Sequence, residues 1–259
     1  MSTPWLRLLP DENYRFQMGL RPGDAAAFYA PSDAAAEILA QRRALLRQVP
    51  QSYVLNGAAD DALRMLAAWT GGDLPDVIAA GCRCEPDWVL LAPDAAGGLR
   101  VTAGVVCFPS SWSLPEKAGL RVSEVHAPVP GLNDTLARRI DTFLARLAPG
   151  SAWERDNWGL SADDALDHHP RHTLPSLTGA ATLETTWLRL ERQTFVPLAG
   201  GAVLFGIRVS VHRLDELAAL PGVASRLARA LETMPAEVAA YKGVTAARGP
   251  LAAQLRARA

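Results

Sequence analysis

A chain of 259 residues, 49% of them hydrophobic, is long enough to bury a full core, as one large domain or two small ones. Its formal net charge of −1 leaves no electrostatic footprint for nucleic acid. No apolar stretch approaches the roughly 20 residues that span a bilayer, and the amino terminus lacks the long apolar core of a signal peptide. Cys82, Cys84 and Cys107 are odd in number and sparse, which argues against a disulfide framework. The expected location is the cytoplasm.

The first 30 residues are rich in Pro, Gly and aromatics and read as an irregular lead-in. From Asp33 to Gln48 the pattern is helical: Ile38, Leu45, Leu46 and Val49 share a face, Arg42, Arg43 and Arg47 lie mostly off it, and Ser32 or Asp33 is placed to cap the start. A weaker helix runs from Ala59 to Trp69 and stops at Gly71-Gly72. Asp87 to Ala92 and Leu99 to Phe108 read as a hairpin around the turn formers Asp94 to Gly98. The best helix spans Asp134 to Leu147, with Leu136, Ile140, Phe143, Leu144 and Leu147 in one stripe, Asn133 as cap and Pro149-Gly150 as stop. A polar loop from Ser161 to Gly179 follows. Strands from Thr185 to Val196 and from Ala202 to Leu214 come next, joined near Ala199-Gly200-Gly201. In the second, Val203, Phe205, Ile207, Val209 and Val211 alternate with Gly206, Arg208, Ser210 and His212, the pattern of a half-buried antiparallel strand. Alanine-rich helices occupy the rest from Asp215 onward. The order predicts an α+β fold, an antiparallel sheet with helices packed on it. No repeat or Gly/Ser linker divides the chain, so 1–259 reads as a single domain.

Generic motifs are nearly absent. There is no dinucleotide glycine loop, phosphate loop or Gly-x-Ser-x-Gly elbow, and no Cys-x-x-Cys-His for covalent haem attachment. Cys82-Arg83-Cys84 has a spacing that suits neither a zinc knuckle nor a redox pair. His168-His169-Pro170-Arg171-His172 tempts a metal reading, but Pro170 breaks the helix that would align its imidazoles, so it reads as a solvated loop. His212 lies on the polar phase of a strand. His126 differs, because it stands in Val125-His126-Ala127-Pro128-Val129-Pro130-Gly131, where two prolines stiffen and extend the segment ahead of the strongest helix. A fixed neutral imidazole there suits an axial iron ligand, although a hydrogen-bonded structural histidine is the commoner outcome for such a residue.

The neighbouring blocks carry a resemblance. Phe16-Gln17-Met18-Gly19-Leu20 is followed by Phe108-Pro109-Ser110-Ser111-Trp112, Lys117-Ala118-Gly119 and the His126 segment. Then come Glu154-Arg155-Asp156-Asn157-Trp158 and Leu188-Arg189-Leu190-Glu191-Arg192-Gln193-Thr194 with Gly201-Ala202-Val203-Leu204-Phe205. In this order, over roughly residues 14 to 214, the set resembles the haem-dependent oxidative N-demethylase family. The resemblance implies a PAS-like antiparallel sheet holding non-covalent haem b, and an oxidase that uses O2 to remove a methyl group from a small amine such as dimethylamine. It also implies electrons delivered by a separate NADPH-dependent flavin and iron–sulfur reductase. By the same match His126 is the iron ligand. Ser111 stands where a basic residue is common and Leu132 where an aromatic is common, which bears on substrate more than on haem.

Within these blocks Lys117, Arg121, Arg155 and Arg192 are the candidate cations for haem propionates. Trp112 and Trp158 either line the haem pocket or are core aromatics. Asn157, Trp158 and Glu191 are the candidate catalytic positions, with Asn157 serving either substrate or a local turn. Glu191 and Arg192 are neighbours on a strand, so they face opposite ways. Cys107, at the end of an apolar strand, is the competing thiolate ligand. The alternative function is a PAS-like haem-based gas or redox sensor, and a haem-free binding relative is the third reading.

Overall fold

The computed structural model describes residues 4–259. Seven strands, β1 (Arg21–Pro22), β2 (Val54–Leu55), β3 (Asp87–Pro93), β4 (Leu99–Val105), β5 (Trp153–Ser161), β6 (Trp187–Pro197) and β7 (Val203–Arg213), pair antiparallel throughout. They form one sheet in the order β1-β5-β6-β7-β3-β4-β2. With helices packed against it, this is the expected α+β arrangement.

The β3–β4 and β6–β7 hairpins fall where alternation places them. The strand β5 was not anticipated; its residues Trp153-Glu154-Arg155-Asp156-Asn157-Trp158 alternate in polarity on neither face. Its register is set by β6, with Arg155 opposite Gln193, Asn157 opposite Glu191 and Gly159 opposite Arg189. Directly opposed residues share a face of an antiparallel pair, so these six line one side. Glu154, Asp156 and Trp158 line the other, with Thr194, Arg192 and Leu190.

Helices cover both sides. The helix Leu132–Ala145 buries Leu136, Ile140 and Leu144, spaced four apart, against Leu99, Phe195 and Phe143. Each such side chain contributes about 1.5–3 kcal/mol on leaving water. The helix starts two residues earlier than the sequence suggests. Gly131 opens it at φ 70, and the Asn133 amide donates to the Ser123 carbonyl (2.9 Å) instead of capping. On the opposite side, Ala35–Gln48, Asp60–Thr70 and Val77–Arg83 pack on Trp88, Leu90, Ala103 and Val105. The helices Val223–Thr233, Ala236–Tyr241 and Arg248–Arg256 pack on Leu160 and Leu188.

Some local readings change. The lead-in contains the short helices Pro4–Leu8 and Ala25–Tyr29 besides β1. Neither Ser32 nor Asp33 caps Ala35–Gln48; Ser32 donates its backbone N–H and hydroxyl to Glu85 (2.8 and 2.6 Å). Arg42, read as lying off the apolar face, is fully buried and ion-paired with Asp87. The Asp87 carboxylate also accepts from the backbone of Cys107 (2.7 Å) and Phe108 (2.9 Å), and Arg42 Nε donates to the Gly81 carbonyl (2.9 Å), while Arg42 Nη2 is buried without a partner. No helix is long and apolar enough to cross a membrane among the described residues.

Candidate functional site

His126 is the last residue of a short helix, Val122–His126, not part of an extended segment. The prolines stiffen a helical turn that runs on through Val129 N–H to His126 carbonyl (2.9 Å) toward Gly131. This helix is moored to the β3–β4 hairpin by Asp94. Its carboxylate accepts from Arg100 (2.8 Å), from Arg121 (2.8 Å) and from the backbone of Ala96 and Gly98 (both 2.9 Å). The Arg121 guanidinium foremost, then the Gly98 N–H, hold this carboxyl below the usual carboxylate range. Arg121 is thereby committed to the mooring, and Glu124 to the Arg121 backbone N–H (2.6 Å), so neither steadies the imidazole. The His126 Nδ1 is buried and has no hydrogen-bond partner. Burial first, then the positive charge of Arg155, push its pKa below the ordinary value and keep the ring neutral.

Arg155 brings the second orphan, since its Nε is also buried without a partner. On the same face Glu191 accepts from the Ser110 hydroxyl (2.6 Å), the Asn157 amide (3.2 Å) and the Gln193 amide (3.0 Å). Its charge acts on Arg155, Arg189 and Lys242 together. Arg189, buried, donates to the carbonyls of Ala165 (2.6 Å) and Leu166 (3.0 Å) and so ties the Ser161–Gly179 loop down on the sheet. Beside Asn157, Gly159 is backed by open space: a Cβ there would meet nothing within 4 Å. Glycine inside a strand marks a place where another group can approach the backbone closely.

The structure brings His126, Arg155, Asn157 and Glu191 into one neighbourhood. Trp158 points to the other side, where it packs in the C-terminal core, meets Tyr14 edge-on (6.5 Å) and lies under the Lys242 ammonium (5.5 Å). Trp112 packs between two core clusters. Arg192 is on the face away from Glu191, as strand alternation requires, beside Glu154 (3.5 Å) and over Phe28 (5.7 Å). Lys117 ends a short 3-10 turn, Pro115–Lys117.

Sequence reading missed Lys242, Ser110, Gln193 and Gly159 as members of the site. Lys242 had one available signal: it is one of two lysines in an arginine-dominated chain. The histidine loop is also less solvated than expected. His168 and His169 are buried, His168 Nε2 lies 2.8 Å from Asp163, and backbone hydrogen bonds join His168 to Pro109 and Ser111. Ser111 there takes a positive φ of 64, a strained conformation of the kind that collects at functional positions. Among the described residues no group of three or more His, Cys, Asp or Glu could hold a bare metal ion; a porphyrin iron asks the protein for an axial donor only.

Two of the clefts in the surface lie near this helix layer. The larger, about 760 Å³, runs along the outer face of Leu132–Ala145 past Arg138, Arg139 and Arg146 and takes only Trp153 from β5. The smaller, about 220 Å³, takes in two of the residues gathered above, Arg155 and Asn157. It lies at the exposed edge of β5, roofed by the lead-in, and is lined by Tyr14, Phe16, Arg155, Asn157, Trp158 and Lys242.

A family model described as haem-dependent oxidative N-demethylase, alpha subunit-like, matches residues 42–252. The match covers most of the chain, and this chain belongs to that family.

Proposed function

We propose that this chain is the haem-bearing subunit of an oxidative N-demethylase, with His126 as the iron's axial ligand in a PAS-like, cytoplasmic domain. The observation that carries the proposal is the neutral His126 imidazole with its Nδ1 buried and unclaimed. A buried polar atom without a partner costs roughly 1–3 kcal/mol, and coordination or a ligand-side hydrogen bond removes that cost. The open backbone at Gly159 and the orphan Nε of Arg155 support the same reading, since a flat macrocycle with acidic side arms needs close approach and a cation. The absence of a Cys-x-x-Cys-His motif supports non-covalent haem b.

When bound, the haem supplies O2 activation: an N-methyl amine, O2, two electrons and two protons give the demethylated amine, formaldehyde and water. This chain's residues bind and orient. Glu191 holds the Asn157 amide in place and contributes the negative charge that attracts a small protonated amine. Ser110 and Gln193 fix the Glu191 carboxylate, so its charge stays on this face. Neither a dinucleotide loop nor a cysteine set for a cluster is present in the sequence, which supports electron delivery by a separate NADPH-dependent flavin and iron–sulfur reductase.

Absorption spectra of the purified protein, oxidised and reduced, test the cofactor: a histidine-ligated Soret band is expected, and its absence after reconstitution with haemin rejects the proposal. Dimethylamine-dependent release of formaldehyde with an added reductase tests the reaction. A haem protein that reduces and reoxidises without releasing formaldehyde from any small N-methyl amine would overturn the enzymatic reading.

A further inference from the structure

Arg155 and Lys242 line the same 220 Å³ cleft at the β5 edge and influence each other electrostatically. Neither forms an ion pair, although the Glu191 charge reaches both and that of Asp156 reaches Arg155. Asp156, which also lines this cleft, is taken by Arg21 (2.9 Å) and Arg7 (3.4 Å). Glu191 is already held by three neutral donors. Arg15, also on the rim, is paired with Glu12 (2.8 Å). Lys242 donates only to the Trp158 carbonyl (2.7 Å), which satisfies one of its three N–H groups and none of its charge. Arg155 has a buried Nε with no acceptor. Two cations set together in a half-enclosed cleft, among the aromatics Tyr14, Phe16 and Trp158, are unfavourable unless an anion joins them.

We propose that Arg155 and Lys242 form a carboxylate-binding subsite, taking one carboxylate in the cleft between β5 and the lead-in. The cleft is smaller than the roughly 300–1,000 Å³ of a whole-ligand pocket, so it accepts a side arm and not a complete macrocycle. The carboxylate has two possible sources, a haem propionate or the acid group of an N-methyl amino acid. The first rests on the function proposed above.

Titrating haemin and haemin dimethyl ester into the apoprotein, followed at the Soret band, separates the sources. If the carboxylate is a propionate, wild type binds haemin about tenfold or more tightly than the ester, the scale of one charge-assisted hydrogen bond. Lys242→Met then abolishes that preference and Lys242→Arg restores it. If the carboxylate belongs to substrate, haemin and ester bind alike. N,N-dimethylglycine then perturbs the Soret band of the wild type, dimethylamine does so less, and Lys242→Met loses the difference.

A second readout needs no haem. Reductive 13C-methylation labels only Lys117, Lys242 and the terminal amine, and protoporphyrin IX or N,N-dimethylglycine should move the Lys242 signal in the apoprotein. A chain that gives no Soret complex but whose Lys242 signal still moves would reject the haem reading and leave the subsite standing. No preference for acid over ester, no response to dimethylglycine and an unmoved Lys242 signal would together overturn the subsite.

Discussion

At residue 126 burial first, and then the Arg155 guanidinium against the opposing charge of Asp141, press the imidazole toward its neutral form, ready to donate a lone pair without first losing a proton. His126→Ala is expected to abolish the histidine-type Soret spectrum after reconstitution. Cys107→Ser should leave it unchanged, because burial pushes the Cys107 thiol up to about 12 and a thiolate does not form there. A wild-type spectrum in His126→Ala, or its loss in Cys107→Ser, would reverse the assignment. Lys242 shows the opposite face of the same physics. Burial pushes its ammonium down to about 8, despite the raising influence of Glu191. Its folded pKa is thus below the unfolded value of about 10.4, and between these limits the unfolded chain binds more protons. The Lys242 contribution to stability therefore rises as pH rises from about 8 to 10. Urea midpoints at pH 8 and 9.5 should show this rise as a difference between wild type and Lys242→Met; equal slopes in the two proteins would contradict it.

The elements that sequence reading located carry an apolar stripe: the β3–β4 and β6–β7 hairpins and the helices Ala35–Gln48, Asp60–Thr70 and Leu132–Ala145. The strand β5 escaped because both of its faces do polar work. Arg155 and Asn157 face the site, while Glu154 and Asp156 pair with Arg21 on the other side, and so no period of two survives in hydrophobicity. The blocks containing His126, Asn157 and Glu191 were legible as candidates, whereas Lys242 arrives from an alanine-rich helix end that carries no local signal. Arg42 was misread because a helix-face count cannot foresee Asp87, 45 residues away, which makes burial of its charge tolerable. At the level of packing, the Ala25–Tyr29 helix is seated on the sheet through Gly206, where a Cβ would meet the Tyr29 hydroxyl at 2.5 Å and Thr194 Cγ2 at 2.7 Å. Gly206→Ala should cost about 1–3 kcal/mol by overpacking, read from urea denaturation; an unchanged midpoint would show that the helix shifts freely. Asp94→Asn should loosen the mooring of Val122–His126 and give a mixed haem spectrum, because Arg100 and Arg121 lose their common anion. A homogeneous wild-type spectrum would show that the prolines alone hold the turn.

Over the whole molecule, His168, His169 and His212 all have pKa values lowered, by burial first in each case. Below about pH 6.5 the unfolded chain takes up protons that these folded imidazoles refuse, so stability falls as pH drops through that range. Thermal midpoints should decline from pH 7.5 to 5.5, before most carboxylates titrate, with His126 adding to the same trend; a flat profile would count against these neutral histidines. The roof of the cleft adds a property of a different kind. Arg226 reaches the carbonyls of Leu6 (3.2 Å) and Leu9 (3.3 Å), and Thr233 accepts from the Tyr14 N–H (2.8 Å), so the lead-in is fastened by a helix more than 200 residues further along. At synthesis rates of about 5–20 residues per second, roughly 10–40 s separate the emergence of these two partners from the ribosome. During that interval the lead-in lacks the fastening from Arg226 and Thr233, and Lys242 has not yet been made. The wall beside β5 is therefore fastened last during synthesis.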